Sequence, residues 1–229
     1  MTFLDTPIFG FTATFIAFQA GLYINKKFKK AIFNPLIIAI TLLIVTLSVF
    51  NIDYDTYNKG GSIITFFLGP ATVVLAVPLY RQIENLKKNS LPILVGIFVG
   101  TITSIVSVII LSRIFGLSQI AILSLIPKSA TTAISQEVSN QTGGIPALTI
   151  AATAVTGLSG NIMGPSICKA FKITDDTAVG ISLGTISHVV GTAKAIEMGE
   201  TQGAMGSLAV GAAGLATVFL APWLLKIFI

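Results

Sequence analysis

Two short stretches of this 229-residue sequence carry the side chains best suited to hold a ligand. Lys128 stands beside Ser129, Thr131 and Thr132, and His188, 60 positions later, stands among Thr185, Ser187 and Thr192. Each stretch joins one potentially cationic group to several hydroxyls within apolar surroundings. A cation flanked by hydroxyl donors, with a helix N-terminus nearby, suits a small anion. Catalysis is a poor fit, because a single His without a partner carboxylate and a single Cys supply neither a triad nor a metal-ligand set. The expectation is a non-enzyme with no catalytic residues, no metal and no cofactor. Coupling to H⁺ through His188 or to Na⁺ through backbone carbonyls is open.

These residues must be positioned by membrane helices. Only 10% of the chain is charged and 53% is apolar, against roughly 25% charged in a soluble domain. The charges leave uncharged runs at 6–25, 31–52, 60–80, 89–112, 138–168 and 201–225. A helix of about 20 residues crosses a hydrocarbon core of roughly 30 Å, so each run can span. A soluble globule, a disulfide scaffold and a disordered chain are excluded. The net charge of +5 is gathered in short clusters between the runs, which points to loops at a bilayer surface and not to nucleic acid. The first residues lack the basic stretch of a cleavable signal, so 6–25 is expected to stay as a span.

Lys26, Lys27, Lys29 and Lys30 predict a cytoplasmic first loop and an external N-terminus, in the cell (inner) membrane. Asp53, Asp55 and Lys59 fit an external loop, Arg81, Glu84, Lys87 and Lys88 a cytoplasmic one, and the fourth span ends outside near Arg113. Beyond it, Pro127 interrupts an apolar segment and Ser129 could cap a new helix. Leu117 to Ile126 is ten residues, about 15 Å of helix, or half a membrane. The expected shape is a hairpin that turns at the midplane, consistent with Lys169 and Lys172 being cytoplasmic; a full crossing, with Lys128 snorkelling to an interface, is the alternative.

Asp175 to Glu200 has similar features around a Gly184-to-Thr192 centre. A shift of 60 pairs Lys128 with His188 and gives eight identities between 117–156 and 177–216, among them Thr132/Thr192, Glu137/Glu197 and Gly143/Gly203. Each unit would be a hairpin plus one span, and successive units would point oppositely, as in inverted-topology repeats. If that helix is unbroken, Thr185, His188 and Thr192 share one face. Lys194 and Glu197 could form a gating or structural pair. Asn161 is a candidate lining group before Gly164-Pro165, which, like Gly69-Pro70, should kink or interrupt its span. The many late glycines and alanines are read as packing surfaces.

The strings Phe67-Leu68-Gly69-Pro70-Ala71-Thr72-Val73-Val74-Leu75-Ala76-Val77-Pro78-Leu79-Tyr80, Pro127-Lys128-Ser129-Ala130-Thr131-Thr132, Gly143-Gly144-Ile145-Pro146-Ala147-Leu148-Thr149 and Gly184 to Ala193 closely resemble the LrgB/CidB family, in order along nearly the whole chain. Ala133 departs from the proline expected in many relatives. The resemblance implies two different roles: modulation of murein hydrolase export and autolysis with a small LrgA/CidA-like membrane partner, or translocation of glycolate, glycerate or pyruvate.

The combined expectation is an all-α polytopic membrane protein with six full spans and two midplane re-entrant hairpins. Residues 1–116 would form a scaffold of four spans, and 117–229 a transport-like unit of two hairpin-plus-span repeats. The expected partners are a small organic acid, the lipid bilayer, an LrgA/CidA-like protein and a second copy of the chain in a homodimer or higher oligomer. The two competing functions are a secondary carrier for a small monocarboxylate and a holin/antiholin-like regulator.

Overall fold

The computed structural model describes residues 6–28, 33–67, 83–88 and 90–228, together with Pro70, Val73, Tyr80 and Arg81. Lys29, Lys30, Gly69, the later part of the span expected at 60–80 and most of the Phe67-to-Tyr80 string lie outside the described residues. Among those described the chain is helical, with no strand. It divides into two compact units, residues 1–74 and 75–229.

The first unit holds α1 (Pro7–Phe28), α2 (Pro35–Val49) and α3 (Tyr54–Phe66). Asn34 starts α2 by accepting a hydrogen bond from Leu36 N at 2.9 Å, with Pro35 in the first turn, where its missing N–H costs nothing. The polar interval around Asn51 to Lys59, expected as a loop, is helical from Tyr54 onward. The physical reason is a partner: α3 packs on α1, and the hydroxyls of Tyr57 and Thr14 meet at 2.8 Å while Asp55 and Lys59 stay exposed.

The second unit contains α4 (Ile83–Lys88), α5 (Ser90–Ile114), α6 (Gln119–Leu125), a 3-10 turn (Ile126–Ser129), α7 (Thr132–Thr142), α8 (Pro146–Ala170), α9 (Asp176–Met198) and α10 (Glu200–Phe228). α6 and α7 fold back on each other across the turn. Ser135 Oγ donates to Pro127 O at 2.6 Å, and the Thr149 hydroxyl lies 2.8 Å from Ser124 O and 2.7 Å from Ser139 Oγ, so pairing runs antiparallel. Pro127 tightens the turn. Thr131, not Ser129, caps the returning helix, accepting from Ile134 N, because Ala130 first takes an extended conformation and moves the helix start two residues on. Ala133 sits within the first turn of α7. Ile105, Ile109, Ile122, Ile126, Leu220 and Leu224 form the apolar cluster that holds this hairpin to α5 and α10.

α9 also folds back. Ser187 (φ −120°, ψ 17°) and His188 (φ 43°, ψ −141°) leave helical geometry. A β-carbon placed on Gly206 of α10 would lie 3.3 Å from Gly180 O and 3.2 Å from Thr192 Oγ1. Those two α9 residues would be about 18 Å apart along a straight helix, so the legs must run side by side. By length and composition α1, α5, α8, α9 and α10 are each sufficient to cross a membrane. The fold-back, however, leaves each leg of α9 about 15 Å long, half of what a crossing needs. The shared face expected of Thr185, His188 and Thr192 on an unbroken helix is therefore absent, because the break falls between them.

The hairpins approach the middle of α8 from its two ends. Ser124 of the first hairpin meets Ile145 N (2.7 Å) and Thr149 at the start of α8, whereas Leu183 of the second packs against Gly164 near its end. α5 has the same relation to both: a β-carbon on Gly100 would lie 3.1 Å from Thr185, and Ser104 bonds Ser129 one turn later at 2.7 Å. α8 runs uninterrupted through Pro165, so of the expected kink or interruption at Gly164-Pro165 the interruption is not made. The expected span at 138–168 likewise starts later, since Val138 to Thr142 belong to α7. The offset of 60 aligns the two tips but not the long helices that follow, whose starts at 146 and 200 differ by 54. Gly143 ends α7 with φ 83°, while Gly203 lies inside α10. Four residues of the difference come from the shorter returning leg of α9, which ends at Met198 where α7 ends at Thr142, and two from the connection, three residues long after α7 and Gly199 alone after α9.

Candidate functional site

Where the two tips converge, a cavity of about 480 Å³ opens along α8. Lys128 contributes the charge in its lining, and Ser187, Ser159, Thr156 and Ser182 contribute hydroxyls. The Thr156 and Ser182 hydroxyls are already bonded to the carbonyls of Ala152 and Ala178 in their own helices, both at 2.8 Å. Lys128 is half-buried and makes no hydrogen bond or ion pair among the described residues. An ammonium group enclosed by protein without a counter-charge is costly, and an anionic guest would relieve it.

The remaining expected site residues divide by what they touch. Ser129 is buried and bonded to Ser104, which ties the first tip to α5. Thr131 is the cap of α7, and Thr132 is exposed at the start of that helix. His188 is buried, and its Nε2 lies 2.9 Å from Thr153 O; because a carbonyl only accepts, that nitrogen carries the proton. The ring is therefore pinned to α8 and does not line the cavity. Thr192 donates to His188 O, the carbonyl four residues before it, at 3.0 Å. Asn161 Nδ2 donates to Val190 O at 2.9 Å, so it secures the second tip and is not among the lining residues. Thr185 is buried with no partner for its hydroxyl among the described residues, and it lines a separate cavity of about 380 Å³ between α5 and α9. Lys194 and Glu197 form an exposed pair at 2.8 Å, one turn past the second tip. Lys128 and Ser187 are thus the two expected residues brought onto one cavity.

Several participants were not singled out in the sequence. Ser104, Ser124, Ser135 and Ser139 fasten the first hairpin, and Cys168 lines the far end of the cavity. One signal was available: Thr149, Thr153, Gly157, Gly160, Gly164 and Cys168 recur every three or four residues, which puts small side chains on one face of α8. That face receives both tips. A β-carbon on Gly157 would lie 2.6 Å from the His188 ring, and one on Gly160 would overlap the Ser187 side chain.

The sequence profile of the LrgB-like family matches residues 14–227. Proteins called antiholin-like protein LrgB from Bacillus mycoides (strain KBAB4), Bacillus cereus (strain B4264) and Bacillus anthracis (strain CDC 684 / NRRL 3495) are each 41% identical over 218 residues, covering 95% of this chain and 95% of the relative. No solved structure matches. Several long apolar helices, a profile that takes in nearly every residue and relatives of matching length lead to one assignment: this chain is a multi-pass membrane protein belonging to the LrgB-like family.

Proposed function

We propose that this chain is a secondary carrier for a small monocarboxylate of the glycolate, glycerate or pyruvate type, held where the two hairpin tips meet. The observation that supports this most strongly is Lys128, half-buried and without a partner among the described residues, lining one cavity with Ser187 beside the middle of α8. In this reading both hairpins are re-entrant at the membrane midplane and belong to an inverted-topology repeat, with six full crossings elsewhere. Alternating access comes from moving 117–226 against 6–112. α5 packs within the same compact unit as the hairpins, so the Ser104–Ser129 contact is one that this motion must break or carry along. The protein is a non-enzyme without a cofactor, lies in the cell membrane with its N-terminus external, and works as a homo-oligomer; H⁺ or Na⁺ supplies the coupling.

The test is uptake of labelled pyruvate, glycolate and glycerate into proteoliposomes containing the full chain. The expected result is saturable uptake that falls at least about tenfold in Lys128→Ala, the equivalent of losing one charge-assisted contact. Absence of uptake for all three acids, with and without an LrgA-like protein, would overturn the carrier reading.

A second reading is favoured by the relatives themselves, which bear the name antiholin-like and support it better than they support transport. In that reading the chain regulates murein hydrolase export and autolysis together with an LrgA/CidA-like membrane protein, and the tips serve packing alone. It predicts autolysis rates that change on deletion of the chain and are restored by Lys128→Ala.

A further inference from the structure

The cavity at the tips is larger and more apolar than a two- or three-carbon acid requires. Lys128, Ser187 and Ser159 line it together with Gly160 of α8, whereas Ser182 lies further along α9, beside Leu183, with its hydroxyl already bonded to Ala178 O. From there the lining continues along α8 through Met163 and Ile167 to Cys168, with Leu183 and Ile186 on the facing leg of α9. The eight steps from Ser159 to Ile167 correspond to about 12 Å of helix. A volume of about 480 Å³ falls within the range of sites that enclose ligands much larger than pyruvate. A single charge at one end and an apolar trough beyond it match an amphipathic solute in charge as well as shape.

We infer that the Lys128 cavity takes a monocarboxylate with an apolar tail of several carbons, its carboxylate at Lys128 and Ser187 and its tail along Met163, Ile167 and Ile186. This rests on the reading of the site as a monocarboxylate carrier and moves its solute class to acids longer than glycolate, glycerate or pyruvate. Burial of each methylene strengthens binding about fourfold, so affinity rises steeply with chain length until the trough is filled. Cys168 is the one cysteine in the sequence and lies at the tail end, which makes its thiol a built-in reporter of occupancy.

The experiment uses the full chain in detergent and in proteoliposomes, with labelled acetate, butyrate, hexanoate, pyruvate and 4-methyl-2-oxopentanoate. Binding is read by equilibrium dialysis and independently by the rate of Cys168 alkylation with a maleimide. The expected result is an affinity that rises about fourfold per methylene from acetate to hexanoate, protection of Cys168 by the longer acids only, and loss of both in Lys128→Met. Met163→Ala, a change at an exposed position, should weaken hexanoate about threefold and leave acetate unchanged. Short acids that bind as tightly as long ones would overturn the tail assignment while leaving the carrier reading intact. Hexanoate binding that persists in Lys128→Met, or that leaves Cys168 unprotected, would overturn it as well, marking the trough as a groove for lipid chains. Failure of every acid to bind would remove both the inference and the carrier reading.

Discussion

At the scale of single residues, Lys128 and His188 illustrate how similar sequence surroundings lead to different work. Lys128 faces a cavity without a partner among the described residues, while His188 spends its Nε2–H on the Thr153 carbonyl and so positions the second tip. That positioning depends on α8 having no side chain where the tip arrives. Gly160→Ala would push a methyl group into Ser187, a local overpacking that should destabilise the protein by about 1–3 kcal/mol. Gly96→Ala places the same methyl group on α5 where nothing among the described residues lies within 4 Å, and it should be neutral or slightly stabilising because alanine favours helix. Thermal unfolding of the two variants in one detergent checks the contrast. Equal midpoints would mean that the second tip does not rest on Gly160.

Among elements, the first hairpin is held chiefly by hydroxyls at the start of α8. Thr149→Val would leave Ser124 O and Ser139 Oγ, both from buried residues, without that partner, at a cost of about 1–3 kcal/mol. Thr156→Val removes a hydroxyl that bonds within its own helix and should change stability by less than about 0.5 kcal/mol; chemical denaturation of both variants measures the difference. Which of these features could be read in advance follows from their physics. Long apolar runs and Pro127 act locally, so the long helices and the first turn were legible from residue types alone. The second break was legible as a polar centre, but its position at Ser187 and His188 was not, since neither residue forbids helix and the bend is held by Thr153 and Asn161 of α8. Ser129 resembled a cap because hydroxyls at a break usually are; its bond to Ser104 of α5 is a tertiary fact that no local rule contains. The helical start of α3 was hidden for the same reason, its polar first turns being stabilised by Thr14 of α1.

For the whole molecule, the two hairpins reach the centre of α8 from opposite ends, so their outer ends should emerge on opposite faces of a membrane. With Cys168 replaced by serine, single cysteines at Asn140 and Glu200 are expected to react with an impermeant maleimide from opposite sides of sealed vesicles. Labelling of both from one side would refute the opposed arrangement. The isolation of Lys128 has an electrical consequence on the carrier reading. With no carboxylate paired to it among the described residues, Lys128 gives the empty site one positive charge, which a bound monocarboxylate cancels. Membrane voltage would then do its work on the empty unit, by up to about 2.3 kcal/mol per 100 mV for a complete passage of one charge, while the loaded unit crosses unopposed. Polarising the membrane would set the pace of the return stroke and leave the delivery stroke alone.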